Sequence, residues 1–117
     1  MLFIHGWPDC FLEVENILDG LLNPPDASSP AFHVVAPSIL GFAFSLALTK
    51  PGFATREAGN AFHGLMQQLG YTQFVIQASD FGAGILRIMA ADYPSLVVAV
   101  LPNFWITLPN AIDLERY

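Results

Sequence analysis

Basic side chains are scarce in this 117-residue chain, which has four Lys and Arg against ten Asp and Glu and a formal net charge of −6. Nucleic-acid binding needs Lys and Arg to neutralise phosphates, so no nucleic-acid partner is expected. An anionic membrane surface is equally unsuited. Cysteine is nearly absent: Cys10 stands alone, no intramolecular disulfide can form, and a reducing, cytoplasmic setting is the expectation. Long unbroken apolar runs are missing too. The uncharged stretch 31–49 is interrupted by Pro37, Ser38 and Gly41, and the stretch 95–112 by Pro102, Asn103 and Pro109. Both read as buried strands followed by turns, with no membrane span. The opening Met1-Leu2-Phe3-Ile4 lacks the basic region and the length of a signal peptide.

Apolar side chains are plentiful, at 54% against 12% charged. That length and composition suit one compact domain over residues 1–117. The charge is low for a surface that must be mostly polar. Some apolar surface is therefore expected to meet a partner or further chain, including self-association through exposed sheet edges.

Apolar segments at 2–4, 32–36, 74–76 and 97–101 read as buried strands. Between them lie helical patterns. From Phe11 apolar residues recur at Val14, Ile17, Leu18, Leu21 and Leu22, until Asn23-Pro24-Pro25 stops the helix. Thr55 is placed to cap a second helix with the stripe Ala58, Ala61, Phe62, Leu65, Met66 and Leu69, and Gly70 is placed to end it. A third helical segment follows a turn at 78–82 and ends at Tyr93-Pro94. Strands alternating with helices predict an α/β fold with a mostly parallel sheet of about four strands and crossover helices. The loops after Ile4, Ala36 and Gln77 should then converge at the carboxyl ends of the strands, where such sheets bind ligands.

The sharpest local feature is Gln77-Ala78-Ser79-Asp80-Phe81-Gly82-Ala83-Gly84, between a strand and a helix. A nucleophile elbow forces its central residue into a tight turn and needs small residues two before and two after it. Centring on Asp80 puts Ala78 and Gly82 there; centring on Ser79 puts Gln77 and Phe81 there, so Asp80 is the better candidate. The helix N-terminus would favour its negative charge. The plainer alternative is that Asp80 caps that helix.

Three motifs share an order and a setting: His5-Gly6-Trp7-Pro8 after the first strand, the run from Pro37 to Ser45 with Gly41-Phe42-Ala43, and the Asp80 elbow. Together they resemble the epoxide hydrolase family of α/β-hydrolases, with its His-Gly-Trp-Pro loop, its Pro-x-x-x-Gly-Phe-Gly-x-Ser loop and its Gly-Gly-Asp-Trp-Gly elbow. The resemblance implies a partial α/β-hydrolase fold in which Asp80 attacks an epoxide to form an alkyl ester, and a histidine-activated water then releases a diol. It also implies that the backbone N–H groups of Trp7 and Phe81 form the oxyanion hole, with His5, Gly6, Pro8 and Gly82 supporting the loops and Trp7-Pro8 as a cis bond. His5 is expected to serve the turn and not as an acid or base. The implied partner is a small epoxide; no cofactor and no metal are implied.

In the family, the catalytic histidine, its acidic partner and the lid tyrosines would follow Tyr117, so the lid and the C-terminal catalytic segment are expected to be absent from this chain. His33, in a strand, and His63, on a helix, are not expected to replace that histidine. The chain departs from the family pattern at Ala78, Ser79 and Ala43, which replace glycines, and at Phe81, which replaces tryptophan; Asp9 adds a negative charge after Pro8. A dehalogenase, which also uses an aspartate, ranks second, because Phe81 lacks the side-chain N–H those enzymes offer to a halide. A non-catalytic truncated product is the reading from a different class.

Overall fold

The computed structural model describes residues 1–47 and 51–104. Thr49, Trp105, Pro109, Ile112 and Tyr117, on which parts of the sequence reading rest, lie outside them. The described elements are β1 (Leu2–Ile4), a 3-10 turn (Phe11–Val14), α1 (Glu15–Leu22), α2 (Thr55–Gln68), β2 (Phe74–Ala78), α3 (Asp80–Asp92) and β3 (Val97–Pro102). The three strands form one parallel sheet in the order β1-β2-β3.

The expected fourth strand at 32–36 is reduced to a single bridge. Val35 lies parallel to Leu2, with Phe3 N donating to Val35 O (2.8 Å) and Val35 N to Met1 O (2.9 Å), and no ladder extends further. His33 is therefore outside any strand, and the sheet has three strands where about four were expected. Apolar patterning marks a segment as buried, but a strand also needs a partner along its whole length.

The core lies between the sheet and the α2/α3 pair: Leu2, Ile4 and Ile76 from the strands, Ala58, Phe62 and Met66 from α2, and Ile85, Leu86 and Met89 from α3. The α2 stripe is narrower than its spacing suggested, because Ala61 and Leu69 are exposed and Gly59 is buried instead. A Cβ at Gly59 would come within 3.2 Å of Met89 Cγ, so this glycine lets the two helices approach.

Helix ends show which local signals act. Ala54, not Thr55, is the N-cap residue of α2, and the Glu57 carboxylate accepts the Ala54 N–H (2.9 Å). That bond, more than any other cause, holds the Glu57 carboxyl below its ordinary pKa. At the other end Gly70 has φ +83, Gly70 N donates to Gln67 O (2.9 Å) and Tyr71 N to Met66 O (3.0 Å). This is a Schellman stop, which glycine permits without a Cβ clash. The turn expected at 78–82 contracts to one residue: Ala78 ends β2, Asp80 begins α3, and Ser79 between them is the N-cap.

The first helix begins as the 3-10 turn and continues as α1, which buries no residue; Ile17 and Leu22 stay exposed. On the opposite edge β3 exposes Val98, Val100 and Leu101. Among the described residues no helix is long and apolar enough to cross a membrane.

Candidate active site

β2 runs into α3 through Ser79 alone, so the backbone must reverse within one residue, and Asp80 does so at φ +44. For a residue with a Cβ this left-handed conformation costs about 1–2 kcal/mol, and it persists where neighbouring structure imposes it. The neighbours are packed tightly. A Cβ on Gly82 would lie 2.5 Å from Ile4 O and 2.6 Å from His5 O, and one on Gly6 would lie 2.8 Å from Asp80 Cβ. Only glycine at both positions lets α3 start against the end of β1. Ala78, the small residue two before Asp80, is fully buried.

This packing brings the loop after β1 onto the elbow. Trp7 N donates to Asp80 Oδ2 at 2.9 Å, a charge-assisted bond to an exposed carboxylate. Since Ser79 is the N-cap residue and the Asp80 carboxylate is engaged by Trp7, the capping alternative for Asp80 does not describe the structure. Phe81 follows Asp80 in the first turn of α3, with an exposed side chain. The Trp7-Pro8 bond is cis, as the resemblance implied.

His5 is fully buried at the end of β1 and ties two loops together. Ile39 N donates to His5 Nε2 (2.8 Å), so Nε2 carries no proton; Nδ1 carries it and donates to Gly6 O (2.7 Å). Both ring nitrogens are used, which leaves none for proton transfer and fits the supporting role expected. Of the remaining histidines, His33 Nδ1 lies 3.2 Å from Tyr71 Oη, and His63 stacks on Tyr93 at 3.9 Å, its buried Nε2 lacking a hydrogen-bond partner among the described residues.

Sequence reasoning missed one member of the site. Glu13, in the 3-10 turn, accepts the Gly6 N–H at Oε2 (3.1 Å) and the Ser79 hydroxyl at Oε1 (3.0 Å). A lone glutamate near the start of an amphipathic helix reads as solvated surface, and no local pattern marks it otherwise. Ser79, where the family pattern has glycine, supplies the hydroxyl for this contact.

The third loop follows Ala36. Gly41 (φ +91) and Ala43 (φ +45) bend it, and Ser45 Oγ closes it on Ser38 O (2.7 Å). Buried Ser38 in turn accepts the Phe11 N–H (3.3 Å). Between this loop, the start of α2 and α3 lies a cavity of about 350 Å³, walled by Leu40, Phe42, Phe53, Ala58, Phe81 and Ile85 among others. Its lining is almost wholly apolar, and Phe81 connects it to the elbow. Among the described residues no group of His, Cys, Asp and Glu is arranged to hold a metal.

The α/β-hydrolase fold family matches residues 1–101. Epoxide hydrolase 1 of Sus scrofa is 37% identical over 120 residues, covering 100% of this chain and 26% of that protein. The juvenile hormone epoxide hydrolase of the silkworm Bombyx mori superposes with a TM-score of 0.89 at 33% identity, over 97% of this chain and 27% of that one. The epoxide hydrolase of Aspergillus niger superposes with a TM-score of 0.78 at 25% identity, over 96% and 31%. The chain thus spans about a quarter of the length of the curated relatives it matches. Shared sequence and shared backbone run together across the whole sheet and all three loops, and on that ground the chain belongs to the α/β-hydrolase fold and, within it, to the epoxide hydrolase family.

Proposed function

We propose that this chain carries the nucleophile-bearing part of an enzyme that hydrolyses epoxides to diols through an ester at Asp80. The observation that carries the reading is the Asp80 carboxylate, projected from a left-handed turn and held at Oδ2 by Trp7 N–H (2.9 Å). With Oδ2 engaged, Oδ1 is the oxygen that attacks an epoxide carbon. The C–Oδ1 bond forms, the ring C–O bond breaks, and the ring oxygen leaves as an alkoxide that takes a proton. Water then attacks the ester carbonyl carbon, giving a proton to a base. The negative charge of that step develops on Oδ2, where the Trp7 N–H already points, as an oxyanion hole requires. The tetrahedral intermediate collapses with cleavage of the Cγ–Oδ1 bond, the diol leaves with Oδ1 and takes up a proton, and the water oxygen remains in the regenerated Asp80 carboxylate. Phe81 N–H is the second donor in this reading, and the apolar cavity beside Phe81 receives the hydrocarbon part of the substrate. Dehalogenation is less well supported, because the Phe81 side chain offers no N–H to a leaving halide.

Of this chain's histidines, His5 spends both ring nitrogens on Gly6 and Ile39, His33 meets Tyr71, and His63 stacks on Tyr93 with its Nε2 buried away from solvent, so in this reading the base for the second step comes from outside it. A general base contributes about 10²–10⁴-fold. The chain by itself is therefore expected to alkylate at Asp80 and to release diol far more slowly. Incubation with a small epoxide, followed by peptide mass spectrometry, should find one adduct, on the peptide containing Asp80. Adducts spread over several carboxylates, or sustained diol release by the chain alone, would sink this reading.

A further inference from the structure

We infer that Glu13 is a positioning residue for the site: its carboxylate clamps the loop after β1 to the Asp80 elbow and thereby sets the Trp7 N–H on Asp80 Oδ2. Two adjacent residue pairs face each other, Gly6-Trp7 on one loop and Ser79-Asp80 on the other. Glu13 joins the first member of each pair, accepting Gly6 N–H at 3.1 Å and Ser79 Oγ–H at 3.0 Å. Asp80 and Trp7, the second members, then meet at 2.9 Å. Because successive peptide units share a Cα, fixing Gly6 and Ser79 restricts where the Trp7 amide and the Asp80 side chain can go. A carboxylate suits the task, since it accepts from two donors at once without offering a proton of its own.

The anchor behind Glu13 is firm. Val14 beside it is buried in the domain, and Phe11 N at the start of the same turn is held by buried Ser38. Gly6 is itself buried, and Glu13 gives its N–H an acceptor there. The contact also joins the first helical segment, which is otherwise lightly packed, to the catalytic end of the sheet. The clamp's consequence for chemistry rests on the reading of Asp80 as nucleophile; its consequence for the Trp7 amide does not.

Hydrogen–deuterium exchange of the full chain, followed by NMR at the Trp7 amide with Ile76 in β2 as reference, tests this directly. Glu13→Ala should speed Trp7 exchange by about tenfold, as loss of a charge-assisted hydrogen bond would, with Ile76 unchanged. Glu13→Gln should return it to within about threefold of the parent, since one amide can accept from Gly6 and donate to Ser79. Ser79→Ala, which removes one arm only, should fall between and serves if Glu13→Ala does not fold. Unchanged Trp7 exchange in both Ala variants overturns the clamp. So does equal acceleration at Ile76, which would mark a general loosening, or failure of Gln to restore the amide. If the parent chain forms no ester at Asp80 while these shifts appear, the clamp stands and the proposed reaction falls.

Discussion

Asp80 and Ala43 share a positive φ, +44 and +45, in unlike surroundings. Around Asp80, glycines at 6 and 82 give way to backbone and side-chain atoms less than 3 Å from where a Cβ would sit, and Trp7 N–H binds the carboxylate. Ala43 lies exposed in a loop held by its own turns, Phe42 N to Ile39 O and Ser45 N to Phe42 O, each 2.9 Å. Tertiary packing imposes the first conformation and a local turn imposes the second. At Asp80 the unfavourable φ places a polar group; at Ala43 it places a methyl, which any glycine could replace.

The largest effect expected from breaking this comparison is at the packed turn. Gly82→Ala drives a Cβ into two backbone carbonyls that cannot rotate away, so a loss of about 3 kcal/mol or more is expected from denaturant midpoints. A loss below about 1 kcal/mol would show that α3 shifts freely and that packing does not impose the Asp80 turn.

Asp80→Asn separates chemistry from conformation. The ester at this position should vanish, while stability stays within about 0.5 kcal/mol, because Asn tolerates the left-handed region well and keeps an acceptor for Trp7 N–H. Asp80→Ala should cost about 1 kcal/mol through that lost bond, not through a lost helix cap. An adduct formed at full rate in fresh Asn protein would remove Asp80 from the mechanism. Slow recovery is a separate case, since the site could hydrolyse the amide back to aspartate, and the protein's mass would reveal it.

At the looser turn the sign reverses. Ala43→Gly relieves about 1–2 kcal/mol of left-handed strain and forfeits about 0.4–1 kcal/mol of unfolded-state entropy. A net gain on the order of 0.5–1 kcal/mol in thermal unfolding is expected. A loss instead would mean that the Ala43 methyl packs against something that matters.

The smallest expected effect is the pH response of the α2 cap, far from both turns. Glu57 is held below its ordinary pKa by the Ala54 N–H, so its contribution to stability is present above that ordinary value and fades as pH falls through the lowered one. Glu57→Gln should therefore lower stability slightly at neutral pH and flatten the acid limb, with variant and parent converging in acid, where the parent's Glu57 is protonated. A Glu57→Gln variant that loses stability between neutral pH and acid as steeply as the parent would show that the cap carries no charge-dependent stability.

The site was legible in the sequence where chemistry and local sterics coincide. Small residues two either side of Asp80, and not of Ser79, selected the elbow's centre, and Ala78 and Gly82 sit where a close approach needs them. Gly70 announced the α2 stop because a left-handed residue there is local geometry. The stripe on α2 was read too widely, since periodicity reports which face is apolar but not how much of it a neighbour covers: Ala61 and Leu69 remain exposed. The segment 32–36 was read as a strand for its apolar character, yet only Val35 finds a partner in β1.

Sequence alone therefore determined the alternation of strands and helices, the family, and the identity of Asp80 as the elbow residue, because these depend on periodicity and on contacts between near neighbours in the chain. Only the tertiary structure decided that Ser79 is the helix N-cap and Asp80 is not, that His5 spends both ring nitrogens on Gly6 and Ile39, and that Glu13 reaches Ser79 across 66 positions. Each depends on which donors meet which acceptors once β1 and β2 pair, and hydrogen bonds are short and directional, so their partners across the chain follow from the fold and not from composition or spacing.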